Sequence, residues 1–182
     1  MGGGLKAIVV SIWGTCTLDS KGAVACAPEF VSTPVSAVPY TKILASEDQI
    51  AALDEAGVPR YPNDTFPAGV YLDIGTNDNF RVGAVRSDGT AVSIVSNADP
   101  ILKSGSFVHI ALDYVGRACA LDRAGEVTCW IAAPIQNPAP IGALPAGPFV
   151  QIVGAESTFC GLRATGTTTC WGDYPVDVPP GW

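Results

Sequence analysis

FVQIVGAESTFCGLRATGTTTCWG, residues Phe149 to Gly172, reads as a strand over Phe149 to Val153, a short loop, and a hairpin with Cys160 and Cys170 on its two arms. The turn Arg163-Ala164-Thr165-Gly166 suits a type I turn followed by a glycine in the left-handed region. A loop of this odd length sets Cys160 opposite Cys170, because each lies equally far from Thr165. Facing residues at a non-hydrogen-bonded site stand about 4.5–5.5 Å apart at Cα, within disulfide reach.

The unit recurs. Aligned on the turn glycine, five copies place it at Gly22, Gly57, Gly89, Gly125 and Gly166, at intervals of 35, 32, 36 and 41 residues. The first strand of each copy carries an isoleucine: Ile8, Ile43, Ile74, Ile110 and Ile152. Three residues earlier stand Leu5, Tyr40, Tyr71, Phe107 and Phe149. The first hairpin arm carries Leu18, Leu53, Val85, Leu121 and Leu162. Several strands in each 35–40-residue repeat point to propeller blades or a β-solenoid. The expected fold is therefore all-β, a single five-bladed β-propeller of antiparallel, roughly four-stranded blades. Its repeats span residues 5–39, 40–70, 71–105, 106–147 and 148–182, with 1–4 as a tail. Val178-Pro179-Pro180-Gly181-Trp182 resembles Leu144-Pro145-Ala146-Gly147-Pro148, the entry to a repeat, and the strand from Leu5 would supply what comes next. A ring closed by its N- and C-terminal segments is expected, with an open arc completed by a second chain as the alternative.

Composition agrees. Glycine (20) and proline (15) are abundant, and charged residues make up only 15% of the 182, against about 25% in ordinary domains. Mean hydropathy is +0.30, so either the core is generous or part of the surface is covered by a partner. A net charge of −7 without any Lys/Arg cluster argues against a nucleic-acid or anionic-membrane partner, and no apolar run is long enough to span a membrane.

The six cysteines form three pairs of identical spacing, Cys16/Cys26, Cys119/Cys129 and Cys160/Cys170. Zinc would need closer spacing and more ligands, and His109 is the only histidine. Disulfides are expected instead, each closing a short loop and contributing about 2–3 kcal/mol. They imply an extracellular or otherwise oxidising setting: secreted, cell surface or virion. Met1-Gly2-Gly3-Gly4 is not a signal peptide. It reads either as a cloning remnant on a mature secreted domain or as the start of a protein that oxidises after release.

The pattern Cys160-Gly161-Leu162, Gly166, Cys170-Trp171-Gly172 resembles the regulator of chromosome condensation repeat. The disulfide-bearing variety of bacterial extracellular proteins is the nearer match, and the propeller-type β-lactamase inhibitory protein is similar in architecture. The resemblance covers residues 5 to 182, strongly in copies one, four and five. It implies a propeller, usually of seven blades, where this chain has material for five. The founder's nucleotide-exchange activity is not implied, because no exchange motif is recognisable.

No catalytic residue emerges. His109 falls in a column with Ala7, Lys42, Asp73 and Gln151 and is expected to face solvent. Without a second histidine or a Gly-x-Ser-x-Gly sequence, no nucleophile triad can be assembled. Asn77-Asp78-Asn79 lacks the glycine and glutamate of an EF-hand loop and reads as an ordinary turn. Asn63-Asp64-Thr65 satisfies the glycosylation sequon. Trp130 and Trp171 follow a cysteine at matching positions, which favours packing between blades over sugar stacking. Trp13 and Trp182 have no such match and suit outside contacts. The loops after the first strands contribute Trp13, Glu47, Asp48, Asp78, Phe80, Asp113, Tyr114 and Glu156. In a ring these loops share one face, so an acidic rim studded with aromatics is expected. The resulting expectation is a non-catalytic, extracellular protein-interaction module with no cofactor and no metal. The alternatives are a structural or decorating component of a larger assembly such as a virion, and a lectin.

Overall fold

The structure, a computed structural model, describes residues 4–11, 14–27, 38–46, 49–62, 65–77, 81–95, 99–132 and 141–173. It contains strands and no helix among these residues. Five separate antiparallel sheets follow one another along the chain. Blade one is β1 (Leu5–Ser11), β2 (Gly14–Asp19) and β3 (Val24–Cys26). Blade two is β4 (Tyr40–Ser46), β5 (Gln49–Asp54) and β6 (Pro59–Arg60). Blade three is β7 (Tyr71–Thr76), β8 (Arg81–Arg86), β9 (Ala91–Val95) and β10 (Ile101–Lys103). Blade four is β11 (Phe107–Leu112), β12 (Arg117–Asp122) and β13 (Val127–Ile131). Blade five is β14 (Gln151–Ala155), β15 (Thr158–Leu162) and β16 (Thr168–Gly172).

Four strands per blade were expected, but only blade three shows four; the others have three among the described residues. The proline-bearing segments that would supply the outer strands of blades one, four and five fall mostly outside those residues. In blade two, Pro59 lies in a two-residue edge strand, where a missing N–H costs the ladder nothing.

The spacing of the two core columns would be a puzzle in a regular strand. Residues three apart point to opposite faces, yet Tyr40 and Ile43, Tyr71 and Ile74, and Phe107 and Ile110 are all buried. A bulge resolves it. In β4, β7 and β11 the register slips between the aromatic and the position before the isoleucine, with Tyr40 paired to Asp54 but Lys42 to Leu53. The extra residue returns both side chains to one face, and β1 carries the same slip between Leu5 and Ala7.

That face packs on the blade before it. Tyr40, Ile43, Ile50 and Ala52 of blade two meet Cys16, Leu18 and Val9 of blade one. Phe149, Ile152, Phe159 and Trp171 of blade five meet Ala111, Cys119 and Leu121 of blade four. Trp130 and Trp171 are buried in the apolar clusters between blades three and four and between blades four and five, and each also stands against an aromatic of its own blade, Phe107 and Phe149, with centroids 6.1 and 5.8 Å apart.

The turns behave as their sequence requires. Gly22, Gly57, Gly89, Gly125 and Gly166 have φ of 79°, 74°, 86°, 81° and 85°. In blade five, Gly166 N–H donates to the Arg163 carbonyl at 2.9 Å, closing the turn. In blades one, two and four an aspartate opens the turn and caps its amides, as Asp122 Oδ1 does for Ala124 and Glu126 at 2.8 and 3.0 Å. Each of the first four glycines also accepts a hydrogen bond from the next blade: the N–H groups of Tyr40, Tyr71, Phe107 and Phe149 donate to Gly22, Gly57, Gly89 and Gly125 at 2.9, 2.8, 3.0 and 2.9 Å.

All three expected disulfides form, Cys16–Cys26, Cys119–Cys129 and Cys160–Cys170, each with Cα atoms 4.0 Å apart. Each joins the second strand of a blade to the third at directly facing positions. Closure of blade five onto blade one is not seen among the described residues. Ile8 and Val153, which such a seam would cover, are 57% and 53% exposed, and residues 178–182, assigned to the seam, lie outside the described residues.

Two outcomes follow from these contacts. Thiol titration of unfolded, unreduced protein should find none of the six cysteines free; four or more would remove the argument for an oxidising setting. Alanine at Gly125 or at Gly166 incurs the left-handed penalty of about 1 kcal/mol, but only at Gly125 would its Cβ meet the next blade, 2.5 Å from the Phe149 carbonyl, with nothing within 4 Å at Gly166. Gly125→Ala should therefore lower the melting temperature by at least ~3 °C more than Gly166→Ala, read by differential scanning calorimetry.

Candidate functional site

The loops that follow the inner strands were expected to form the acidic rim. Three residues after the inner-strand isoleucines of blades two, three and four stand Ser46, Asn77 and Asp113, and all three are buried. The Ser46 hydroxyl donates to the Asn77 carbonyl, and the Asn77 side-chain amide donates to the Asp113 carbonyl. Each of these bonds crosses from one blade to the next.

Two arginines repeat the theme. Arg81 and Arg117 begin the second strands of blades three and four, seven residues after Ile74 and Ile110. Arg81 donates to the Tyr114 carbonyl of blade four at 2.5 Å, and Arg117 donates to the Ser157 carbonyl of blade five at 2.5 Å. Sequence reasoning passed over both arginines; their equal offset from the isoleucine column was the available signal.

Asp113 therefore does not belong to an exposed rim. It is 0% exposed and accepts from Arg117 Nε at 2.6 Å and from the Arg117 backbone N–H at 2.7 Å. Arg117 also reaches Asp173 at 3.1 Å. Burial pushes the Asp113 carboxyl above its usual range, while the Arg117 backbone and guanidinium pull against that shift. The physical reason for the correction is local: the carboxylate caps the start of β12 and neutralises a guanidinium that must be buried to bridge two blades.

Tyr114 and Glu156 remain at the surface of this face. Tyr114 is 45% exposed, and its N–H donates to the Glu156 carbonyl at 2.6 Å. Glu156 is exposed and holds φ of 48°, a left-handed conformation unusual for a residue with a side chain. Trp13, Glu47, Asp48, Asp78 and Phe80 lie outside the described residues, as do Asp64 of the sequon and Trp182.

A second constellation lies on the inner strands. His109, expected to face solvent, is partly buried: Nδ1 stands 2.5 Å from Asp73 Oδ2 and Nε2 stands 2.9 Å from the Ile152 carbonyl. Asp73 also accepts from Lys42 Nζ at 2.5 Å and from the Ile110 N–H at 3.0 Å. The column Lys42, Asp73, His109 thus links blades two, three, four and five. Burial alone would raise the Asp73 carboxyl, but the hydrogen bonds and charges of His109 and Lys42 outweigh it and hold it below its usual range. Beside this chain runs a cavity of about 180 Å³ between the inner strands, walled by Leu44, Gly75, Leu112 and Val153. Among the described residues, no three histidine, cysteine, aspartate or glutamate side chains gather to hold a metal.

Successive antiparallel sheets packed face to face around a common cavity are the blades of a β-propeller. Solved structures with the same fold include the CRINKLY WD40 ectodomain of the Arabidopsis thaliana receptor kinase ACR4, at a TM-score of 0.70 and 18% identity over 98% of this chain and 72% of that one. Human WBSCR16 is similar at a TM-score of 0.68 and 12% identity, over 96% of this chain and 67% of that one. The complex of Kap60 with yeast RCC1 (Prp20) gives a TM-score of 0.60 and 13% identity, over 91% and 55%. The architecture is therefore that of a β-propeller. No family model and no curated protein matches the sequence.

The two polar clusters should respond differently to mutation. Asp113→Ala leaves a buried guanidinium short of a partner and should cost about 3 kcal/mol, whereas exposed Glu156→Gln should change stability by less than about 0.5 kcal/mol; urea unfolding checks both. Because the folded Asp73 pKa lies below the unfolded value, its contribution is fully present above about pH 4 and is lost as the pH falls through the folded value. In Asp73→Asn the part of the acid unfolding transition due to this group should disappear, as read by stability measured from pH 5 down to pH 2.

Proposed function

We propose that this protein is a non-catalytic interaction module that works in an oxidising, extracellular setting and binds a protein partner through the loop face of its blades. The observation that carries this reading is Tyr114. It is a 45% exposed aromatic on a loop whose backbone is bonded on both sides, to Arg81 of blade three and to Glu156 of blade five. An aromatic on a backbone already held in place spares the cost of ordering the loop on binding, and aromatics dominate interface energetics. Glu156 beside it adds negative charge, which speeds encounter with a basic surface. Trp13, Glu47, Asp48, Asp78 and Phe80 come from the equivalent loops and belong to the same proposed surface. The three disulfides support the setting. One propeller neighbour, yeast RCC1, has been solved with a protein bound to it, Kap60.

A second reading, a structural or decorating component of a larger assembly such as a virion, draws on a different observation. Apolar side chains at the two ends of the blade series, Ile8 and Val153, are left exposed.

The test is a paired capture. Wild-type protein and Tyr114→Ala, matched in melting temperature, serve as immobilised baits for the material surrounding the producing cell. Binding partners should be retained by wild type and released at least tenfold faster from Tyr114→Ala, while Glu156→Lys should slow association and weaken its salt dependence. Equal retention by all three baits would overturn the loop-face assignment.

A further inference from the structure

One position of the inner strand plays the same part in three successive blades. Lys42, Asp73 and His109 occupy it in blades two, three and four, each just before the isoleucine. Each reaches the backbone of the isoleucine in the next blade. Lys42 Nζ donates to the Ile74 carbonyl at 2.7 Å, and Asp73 Oδ2 accepts from the Ile110 N–H at 3.0 Å. His109 Nε2 stands 2.9 Å from the Ile152 carbonyl. The side chain matches the group it meets: the cation takes a carbonyl and the carboxylate takes an N–H. Because a carbonyl can only accept, His109 holds Ile152 only with a proton on Nε2.

The other ring nitrogen meets an acceptor as well. Nδ1 stands 2.5 Å from Asp73 Oδ2. The same carboxyl takes Lys42 Nζ at 2.5 Å on its other oxygen and the Ile110 N–H on Oδ2. Burial works against its charge, but the bonds from His109 and Lys42 outweigh burial and hold it below its usual range. It is therefore a carboxylate, with no proton to offer the ring. A neutral imidazole has one N–H and leaves one of two acceptors unserved, whereas the imidazolium serves both. The observed geometry is that of the charged ring.

The charged groups facing His109 are Asp73 from β7 and, across that carboxylate, Lys42 from β4, whose charge opposes that of the ring. From β14 come the Ile152 carbonyl and the uncharged Gln151. Histidine changes charge between about pH 5 and 8, where lysine and aspartate do not. Of these three grips, only the one between blades four and five therefore responds to pH in that range. Solvent reaches the ring, whose side chain is 22% exposed beside the cavity. When one proton leaves, the remaining N–H goes to the carboxylate, because a hydrogen bond to a charged acceptor is roughly twice as strong as one to a neutral carbonyl. The bond to Ile152 is the one lost.

We infer that His109 is a pH-operated clasp between blades four and five. The charged ring bridges Asp73 to the Ile152 carbonyl; the neutral ring stays with Asp73 and releases blade five at that point. The proton passes from Nε2 to solvent. The junction stays fastened elsewhere, because the bonds from the Phe149 N–H to Gly125 and from the Tyr114 N–H to Glu156 join backbone groups, which do not titrate. The change is thus confined to β11 and β14 where they wall the cavity. It does not depend on the partner proposed for the loop face.

His109 is the only histidine of the chain, so nuclear magnetic resonance of protein isotope-labelled in the histidine ring and the isoleucine carbonyls reads the clasp without ambiguity. At about pH 5 both ring nitrogens should carry protons. By about pH 9 the Nε2 proton should be gone while Nδ1 keeps its own, and the Ile152 carbonyl resonance should move with the same midpoint. The Ile74 carbonyl, held by Lys42, should stay still throughout. A ring already neutral at the lower pH or still charged at the higher one would overturn the clasp. So would a neutral ring that keeps its proton on Nε2, or an Ile152 carbonyl that does not follow the ring. His109→Lys supplies a second arm, since it gives blade four the residue that blade two uses. In this variant the Ile152 carbonyl should lose its response over the same pH range. If it still moves with the wild-type midpoint, another group is responsible and the assignment fails.

Discussion

A hydrogen bond from the aromatic at the start of one blade to the carbonyl of the turn glycine in the blade before it sets the geometry of this molecule. It requires a glycine for two reasons that coincide. The turn needs a positive φ, and the neighbouring backbone passes so close that a Cβ at Gly125 would lie 2.5 Å from the Phe149 carbonyl. Because the same bond recurs at Gly22, Gly57, Gly89 and Gly125, successive blades are related by nearly the same rotation. The aromatic that donates it is also the first side chain of the packed face. The bulge that follows turns the isoleucine onto that face as well, so register, blade angle and core are fixed by one short segment of each repeat.

Around that junction lie two belts of polar contacts, one at each end of the inner strands. Lys42, Asp73 and His109 form the first, and Ser46, Asn77, Asp113, Arg81 and Arg117 form the second. Both consist mainly of bonds between adjacent blades. Buried polar groups contribute little net stability against a well-packed apolar alternative. Their geometric demands are strict, however, and they oppose sliding of one blade over the next in a way that the non-directional hydrophobic contacts cannot. Asp113 has the most demanding position: it neutralises Arg117 within its own blade and supports the charge of Arg81, whose guanidinium burial drives below its usual pKa while Asp113 acts against the shift.

The architecture was readable in the sequence because the repeat is written in residues whose roles are local. A left-handed glycine, a facing cysteine pair and a two-residue proline edge follow from backbone geometry alone. The loop face was less readable because the same residue types serve two ends there. Asp113 and Glu156 are both acidic residues in loops following an inner strand, but Asp113 sits four residues before an arginine that needs a buried partner, and nothing in its own identity reveals that. His109 was misplaced for a similar reason. A polar column on an innermost strand looks solvated when each residue is considered singly, and only the rotation between blades brings Lys42, Asp73 and His109 within bonding distance.

The distribution of cystines follows in part from which blades are covered. Blade three is packed on both faces and uses the cystine positions for Gly83 and Ser93; a Cβ at Gly83 would come within 2.8 Å of Ile110 and Leu112 of the next blade, so the site is surrendered to packing. Blade two fills the same volume with Ala51 and Tyr61, both in its core. Blades one and five each have an exposed face and bury correspondingly less apolar surface. Both carry a cystine, whose constraint on the unfolded chain is worth about 3 kcal/mol for a loop of this length. Blade four, covered on both faces, is also stapled, so coverage is not the whole rule. In the end blades, the staple ties the second strand to the third, the outermost of the described strands. It supplies within the blade the cohesion that a covering neighbour supplies elsewhere, which lets an end face remain both folded and open.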